Sequence, residues 1–162
     1  DASVDLGYSA RRFKDLYLSG GVYLGGTGSA NKLDDYEEGT FTASCDNSVA
    51  LHSSSDLCSY TKIGQFVTLQ GNVRVNTDGG GAAMVINNIP FARASGSEGD
   101  KFSVGSLKIS DVNCAGSGIG LNTRINSSDK ILFEQSFDNA SAQSVNAGNN
   151  GYYGFTISYI AA

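Results

Sequence analysis

The sequence contains no Trp, one Pro, one Met and one His among its 162 residues. So little Pro argues against a disordered low-complexity linker. The apolar runs fall well short of the roughly 20 residues that a membrane-spanning helix needs, and the N-terminus lacks the basic and apolar regions of a signal peptide. A net charge of -5 makes nucleic acid and anionic membrane surfaces poor partners. We therefore expect a soluble protein that neither binds nucleic acid nor inserts into a membrane.

The abundant residues are Gly, Ser and Asn, which together fill 56 positions and disfavour helices. A hydrophobic share of 40%, with 8 Tyr and 8 Phe, is enough to form the core of one domain. The composition predicts a globular, strand-rich protein. Because the chain starts at Asp1 and its single Met, Met84, is internal, we expect it to be a piece or a processed product of a longer protein.

Residues 1–38 differ from the rest of the chain. Their apolar residues form short clusters separated by the glycine pairs at 20–21 and 25–26, and no cluster is long enough to bury itself. Such a segment must pack against another copy or another domain. Its densely charged end, residues 32–38, is expected to form one or two helical turns with Ser29 or Asn31 as N-cap. We interpret residues 1–38 as a β-stem and acidic junction.

From residue 39 onward, apolar and polar residues alternate, which is typical of half-buried strands. About eight strands are predicted, at residues 41–45, 58–63, 66–76, 83–86, 102–109, 119–125, 131–137 and 153–160. A change of phase near residues 105–106 suggests a bulge there. The pattern predicts an all-β fold, with a jelly-roll-like antiparallel β-sandwich over residues 39–162.

The predicted strand order also places the connections between strands. If every strand reverses direction, four connections lie at the end of the sandwich far from the stem, namely 46–57, 77–82, 110–117 and 138–150. The connections 64–65, 88–100 and 126–129 then lie at the near end. A strand missed within 88–100 would invert the later half of this assignment.

Several segments of the chain resemble sequences of a known protein family. The first and most specific is LGYSARRFKDLYLSGGVYLGGTGSANKLDDYEEGTFTAS, and the others are YTKIGQFVTLQGNVRV, INNIPF and GFTISYIAA. The first segment resembles the stem-to-head junction of bacteriophage tail fibre and tail spike proteins, particularly those of marine phages, and the others resemble pieces of their heads. The resemblance implies a homotrimer with a narrow β-stem and a terminal receptor-binding β-sandwich. It places the protein at the tail fibre tip of the virion, assembled in the host cytoplasm, and it implies no cofactor.

The expected function is attachment of the virion to a host surface glycan or outer-membrane protein through the far loops. Three weak sites per fibre would give multivalent binding. Polar loop side chains can exchange hydrogen bonds with sugar hydroxyls, and an exposed Tyr can stack on a sugar ring. The candidate ligand-binding residues are His52, Ser54, Asp56, Asp78, Asn113, Asp138, Asn139, Asn149, Asn150 and Tyr152.

Catalysis is not expected, and no catalytic residue is assigned. His52 lies beside serines and Asp56 in one polar loop, whereas triad members normally come from separate rigid elements. A depolymerising tail spike fragment, the main alternative, needs two separated carboxylates. The spacing of the candidate carboxylates in the head does not favour such a pair. These candidates are Asp78, Glu98, Asp100, Asp111, Asp129, Glu134 and Asp138. A purely structural trimerisation cap is the other alternative.

Metal binding is not expected either, because the chain has no CxxC pair and only one His. In a trimer, Asp34, Asp35, Glu37 and Glu38 would form acidic rings able to hold an axial cation, although a solvated junction is the favoured interpretation. The three cysteines at 45, 58 and 114 are expected to be free thiols in the reducing cytosol. A disulfide between Cys45 and Cys58 that clamps the loop 46–57 stays open.

Overall fold

The computed structural model describes residues 4–95, 103–112, 120–138 and 140–162. The chain divides into two compact units, Asp1–Asp35 and Tyr36–Ala162. The boundary lies slightly before the predicted one at residue 38, because the first strand of the second unit already begins at Tyr36. The acidic residues Glu37 and Glu38 are therefore part of that strand rather than of a junction.

The first unit contains little regular structure. Strand β1 (Val22–Tyr23) pairs antiparallel with β2 (Lys32–Leu33), and a single 3-10 turn covers Ser29–Asn31. The predicted helical turns after Asn31 are wrong. Backbone groups of residues 32–33 and of the strand Tyr36–Thr42 bond to neighbouring strands instead. Such pairing outweighs the marginal stability of an isolated helical turn.

The first unit leaves its large apolar side chains in solvent. Val4 is 93% exposed and Tyr17 is 91% exposed. The others that are exposed in this unit are Leu6, Tyr8, Phe13, Leu16, Leu18, Val22, Tyr23, Leu24 and Leu33. This agrees with the expectation that the segment lacks a core of its own. That three copies share it as a stem stays a prediction.

The second unit is an antiparallel β structure, and no α-helix occurs in the described residues. Its strands are β3 (Tyr36–Thr42), β4 (Val49–Leu51), β5 (Leu57–Ile63), β6 (Phe66–Asp78), β7 (Val85–Ile86), β8 (Val104–Ser110), β9 (Gly120–Ile125), β10 (Ile131–Phe137), β11 (Ala140–Ser144) and β12 (Tyr152–Ile160). The predicted all-β class is confirmed. Every predicted strand overlaps an observed one, whereas β4 and β11 lie in segments predicted as loops.

The strands form one long curled sheet. Its order is β11-β10-β9-β8-β12-β6-β5-β3, with β4 paired to β6 and β7 paired to β10. The ring of Phe133 on β10 lies 5.8 Å from that of Tyr153 and 5.7 Å from that of Phe155, both on β12. In a flat sheet three strand spacings of about 4.8 Å each would separate β10 from β12. The sheet therefore folds over itself into two layers, as in a sandwich. The jelly-roll topology stays a prediction.

The core lies between these layers, and the period-two alternation correctly predicted which residues fill it. On β6 the fully buried residues are Val67, Leu69, Val73 and Val75, and on β12 they are Tyr153, Ile157 and Tyr159, with Phe155 only 4% exposed. The bulge predicted near residue 105 is wrong, since β8 pairs with β12 without a register shift. Gly105 occupies a position that faces the core. Leu107 and Ile109, two and four residues further along the strand, face the same side.

A notch around Tyr152 as the candidate functional site

The strand directions in the second unit gather several loops at one end. Tyr36 at the start of β3 pairs with Ile63, and Thr42 at its end pairs with Leu57. The chain therefore enters this unit where β5 turns into β6, and the connections after β3, β6, β8 and β10 leave at the opposite end. The alternating directions agree with those used to place the loops from the sequence.

Arg74 on β6 ties several of the predicted site residues together at this loop end. His52 donates its backbone N–H to the carbonyl oxygen of Arg74 over 2.8 Å. The Arg74 Nη2 donates to Asn150 Oδ1 over 2.9 Å, and His52 Nδ1 lies 3.0 Å from Ser54 Oγ. The loops that carry residues 52–55 and 149–151 therefore lie side by side.

Other predicted residues have local structural roles. The Asp78 carboxylate accepts a hydrogen bond from the backbone N–H of Gly80, and the Asp78 N–H donates to Asn149 Oδ1 over 3.0 Å. The Asp56 carbonyl oxygen accepts from the Ala43 N–H. Asp138 is exposed at the turn between β10 and β11, the strand pair that ends the sheet order. The predicted residues Asn113 and Asn139 lie outside the described part of the chain.

A notch of about 370 Å³ lies near this end, on the outer face of the sheet. Its lining residues are Asn72 on β6, Lys108 and Ser110 on β8, Asp111 just beyond it, and Tyr152 and Gly154 on β12. Cross-strand register produces this grouping, because Gly154 pairs with both Asn72 and Lys108, and Tyr152 pairs with Ser110. Directly opposed residues in a sheet point to the same face. The notch therefore joins three strands that are distant in sequence.

Gly154 leaves the floor of the notch open. A Cβ atom at this position would have Asn72 Oδ1, at 3.5 Å, as its nearest neighbour. Glycine is therefore not required here by crowding, and a larger side chain would occupy space that is now empty. The missing side chain creates the depression between Tyr152, Asn72 and Lys108.

The ring of Tyr152 lies against the side chain of Arg74. The Arg74 guanidinium lies over this ring at 5.4 Å from its centroid, and the two residues are a cross-strand pair. A cation over an aromatic face contributes about 0.5–1 kcal/mol at exposed sites. Arg74 is not among the residues that line the notch. The Tyr152 ring thus has Arg74 over one face, while Tyr152 itself lines the notch.

The chemistry of the notch is mixed and weakly charged. One ammonium group (Lys108) and one carboxylate (Asp111) accompany an amide (Asn72), a hydroxyl (Ser110) and the Tyr152 ring. Amides, hydroxyls and carboxylates pair with sugar hydroxyls, and an aromatic ring covers the C–H face of a pyranose. The arrangement can bind a polar, ring-shaped ligand without requiring a net charge on it.

The acidic residues of the predicted axial site are engaged separately. The Asp34 carboxylate forms an ion pair with the Lys32 ammonium group at 2.9 Å, and this contact lowers the pKa of Asp34. The Glu38 carboxylate accepts a hydrogen bond from the Tyr36 hydroxyl at 2.8 Å, and this bond raises the pKa of Tyr36. Glu37 likewise accepts the Tyr60 hydroxyl. In the described ranges no group of three or more potential ligands could hold a metal ion.

Several of the carboxylates considered for catalysis also have partners in the fold. Glu134 is 9% exposed and accepts two hydrogen bonds from Arg124 Nε, at 2.9 and 3.0 Å. Asp129 Oδ1 accepts the backbone N–H of Arg93 at 2.8 Å. Asp111 alone among these candidates lines the notch. Glu98 and Asp100 lie outside the described residues.

Cys45 and Cys58 are both free thiols. Burial raises the pKa of Cys45 to about 12 and that of Cys58 to about 11, so both are protonated at neutral pH. A protonated, buried thiol is a poor nucleophile. Cys114 is outside the described part of the chain.

Comparisons of the chain with protein-family models, with curated proteins and with solved structures find no match. Within the described residues, no helix is long and apolar enough to cross a membrane. The interpretation of the site therefore depends on its own geometry. Of the notch residues, only Tyr152 was predicted as a ligand contact, from its outward phase beside a polar loop. Asn72, Lys108 and Ser110 were missed, because only the strand register brings them together.

Proposed function

We propose that this chain is the receptor-binding tip of a homotrimeric phage tail fibre and that it attaches the virion to a saccharide on the host cell surface. The observation that carries the proposal is the notch around Tyr152. It combines a braced aromatic ring with amide, hydroxyl and charged groups at the loop end of the sandwich. The resemblance of the junction segment to tail fibre proteins supplies the setting.

The apolar surface of the first unit supports the trimeric part of the proposal. Its exposed Val4, Phe13, Leu16 and Tyr17 would cost free energy in an isolated chain, since burial is worth about 25 cal/mol per Å² of apolar surface. Self-association removes this surface from water. Three chains then present three notches on one fibre, and weak single contacts sum to firm attachment.

Binding without cleavage is favoured by the groups around the notch. Glycoside hydrolysis needs two carboxyl groups, roughly 5–10 Å apart, on the two sides of the scissile bond. Asp111 is the one carboxylate among the notch residues in the described part of the chain. We therefore propose attachment as the function rather than depolymerisation.

The test is a glycan array probed with the purified protein and with two glycine variants. Gly154→Val fills the notch, and Gly120→Val is its matched control, because a Cβ atom at Gly120 meets nothing within 4 Å. We expect the first variant to lose saccharide binding and the second to keep it. Tyr152→Ala removes the stacking ring and should weaken binding about tenfold.

Light scattering should give about three times the chain mass of 16.9 kDa for all variants. A stable monomer at micromolar concentration would contradict the trimer. Saccharide binding that survives Gly154→Val would remove the notch from the proposal. Release of reducing ends would favour the depolymerase, and a protein that binds no saccharide would favour the structural cap.

A further inference from the structure

Two further cavities lie on the same sheet as the notch. A second cavity, of about 470 Å³, lies over β5, β6 and β12. Its outward-facing walls are Thr40, Leu57, Ser59, Gln70 and Thr156. Four of these five side chains carry a hydroxyl or an amide group, and Cys58, Gly71 and Phe155 complete the lining, so this middle groove has mostly polar walls over an apolar floor.

The middle groove exists because two paired strands separate. The ladder between β5 and β6 ends at Ser59 and Gln70. Beyond that point Cys58 pairs with Phe41 on β3, and Gly71 pairs with Phe155 on β12. The gap exposes the backbone around Gly71 as the floor of the groove. A Cβ atom on Gly71 would lie within 3.1 Å of both the Cys58 sulfur and the Phe155 ring, so the strands cannot carry a side chain there.

A third cavity, of about 420 Å³, continues the middle groove towards β3. It is lined by Glu38, Gly39, Thr40, Ser59, Tyr60, Thr61 and Gln70. Three of these residues, Thr40, Ser59 and Gln70, also line the middle groove. The two cavities are therefore one continuous groove.

The register joins this groove to the notch. Gln70 and Asn72 are two residues apart on β6, and Thr156 and Gly154 are two residues apart on β12, so each pair points to the same face. From Thr40 to Tyr152 the path crosses three strand spacings and advances four residues along β12. At about 4.8 Å per spacing and 3.3 Å per residue, that is a diagonal of about 20 Å.

We propose that this track, from Glu38 to Asp111, binds a linear, uncharged polysaccharide chain along its length, with the notch holding one of the sugar units. The inference rests on the proposed function and deepens it from a sugar to an extended chain. Between Glu38 at one end and Lys108 and Asp111 at the other, the outward side chains are hydroxyls, amides and Leu57. Such a surface exchanges hydrogen bonds with a neutral polyol. It offers few positive charges to balance the negative charges of an anionic chain.

A second protein chain fits this track less well. Protein interfaces have an apolar, well-packed centre. Four large apolar residues of the same face form a separate cross-strand row where the chain enters the second unit, namely Tyr36, Ile63, Phe66 and Ile160. An association between copies would cover that row, not the polar track.

The test uses linear neutral glucan, mannan and galactan oligosaccharides, from mono- to hexasaccharide, with calorimetry on the intact protein. Affinity should rise with chain length until the track is filled. Gln70→Ala removes an amide in the middle of the track and should lower hexasaccharide affinity about five- to tenfold, the worth of one or two hydrogen bonds. Its binding of short sugars in the notch should be unchanged.

Gln143→Ala is the matched control, because Gln143 is an exposed amide on β11 at the far end of the sheet order. Binding that does not depend on chain length, or equal effects of Gln70→Ala and Gln143→Ala, would overturn the track and leave the notch in place. If no saccharide binds at all, the proposed function fails and the track fails with it.

Discussion

Replacing Tyr153 by Phe tests how the core supports the loop beside the notch. Tyr153 is fully buried, and its hydroxyl donates to the Asn146 carbonyl oxygen over 2.8 Å and accepts from the Gly148 N–H over 2.9 Å. The Tyr153 hydroxyl is thus one of the groups that tie the loop 146–150 to the core, beside the backbone bonds from Ala147 N–H to the Ala82 carbonyl and from Asn150 N–H to the Val75 carbonyl. The Phe ring would keep the edge-to-face packing on Phe133, so the change isolates the polar contribution.

The expected loss of stability follows from the groups left behind. A buried backbone donor or acceptor without a partner costs about 1–3 kcal/mol, and Tyr153→Phe leaves one of each. Allowing for partial access of water to the loop, we expect a loss of about 3 kcal/mol. For a chain of this size that lowers Tm by about 6–12 °C.

The assay is thermal and urea unfolding at a fixed protein concentration, with Tyr159→Phe as the control. The Tyr159 hydroxyl makes one bond of this kind, donating to the Phe91 carbonyl oxygen over 2.8 Å. Its removal should cost about 1 kcal/mol, a third of the Tyr153 effect. Equal losses for the two variants, or a Tyr153→Phe protein as stable as the original, would refute the reasoning.

Further predictions concern a glycine, two thiols and an ion pair. Gly105→Ala should unfold or aggregate the protein on expression, because its Cβ would clash with Thr123 Oγ1 and lie 2.6 Å from the Thr156 carbonyl oxygen; a normal melting curve would contradict this. With the third cysteine replaced, Cys45 and Cys58 should resist a thiol reagent at pH 8 and react once urea unfolds the chain, since burial raises the pKa of both; fast labelling of the folded protein would contradict it. The Lys130 ammonium group lies 2.6 Å from Asp46 Oδ2 and lowers the pKa of this carboxyl, so Asp46→Asn should cost about 0.5 kcal/mol at pH 7. That cost should vanish as the pH falls below the depressed pKa, because the original carboxylate is then protonated too; a cost that persists in acid would show that the charge is not its cause.

The interior of the sandwich was predictable because alternation is a local signal. On β6, Val67, Leu69, Val73 and Val75 are buried, with only Gly71 half-exposed between them, and on β12 every second position from Tyr153 to Tyr159 is buried, as the spacing indicates. The strand β11 was not predictable in this way. Its residues, Ala140–Ser144, are small or polar and exposed throughout. Their sequence therefore shows no alternation between a buried apolar face and an exposed polar face. Its pairing with β10 comes from the fold around it rather than from its own sequence.

The acidic segment shows the opposite error, a local signal that the fold overrides. Charged residues after Asn31 suggest a helix start, yet Tyr36–Thr42 forms seven consecutive pairs with β5. Glu37 and Glu38 then accept tyrosine hydroxyls from the sheet. Long-range pairing satisfies the backbone groups that β3 directs towards β5, whereas one or two isolated helical turns are only marginally stable.

The notch could not be derived from the sequence because it depends on where the last strand enters the sheet. β12 lies between β6 and β8, so Tyr152 meets Arg74 on one side and Ser110 on the other. Successive residues of a strand point to opposite faces. Tyr153 therefore anchors the loop 146–150 from inside, while Tyr152 presents its ring outside on the same backbone. The position of the site follows from the closure of the core, and a loss of core packing at Tyr153 should weaken saccharide binding even though this residue does not face the notch.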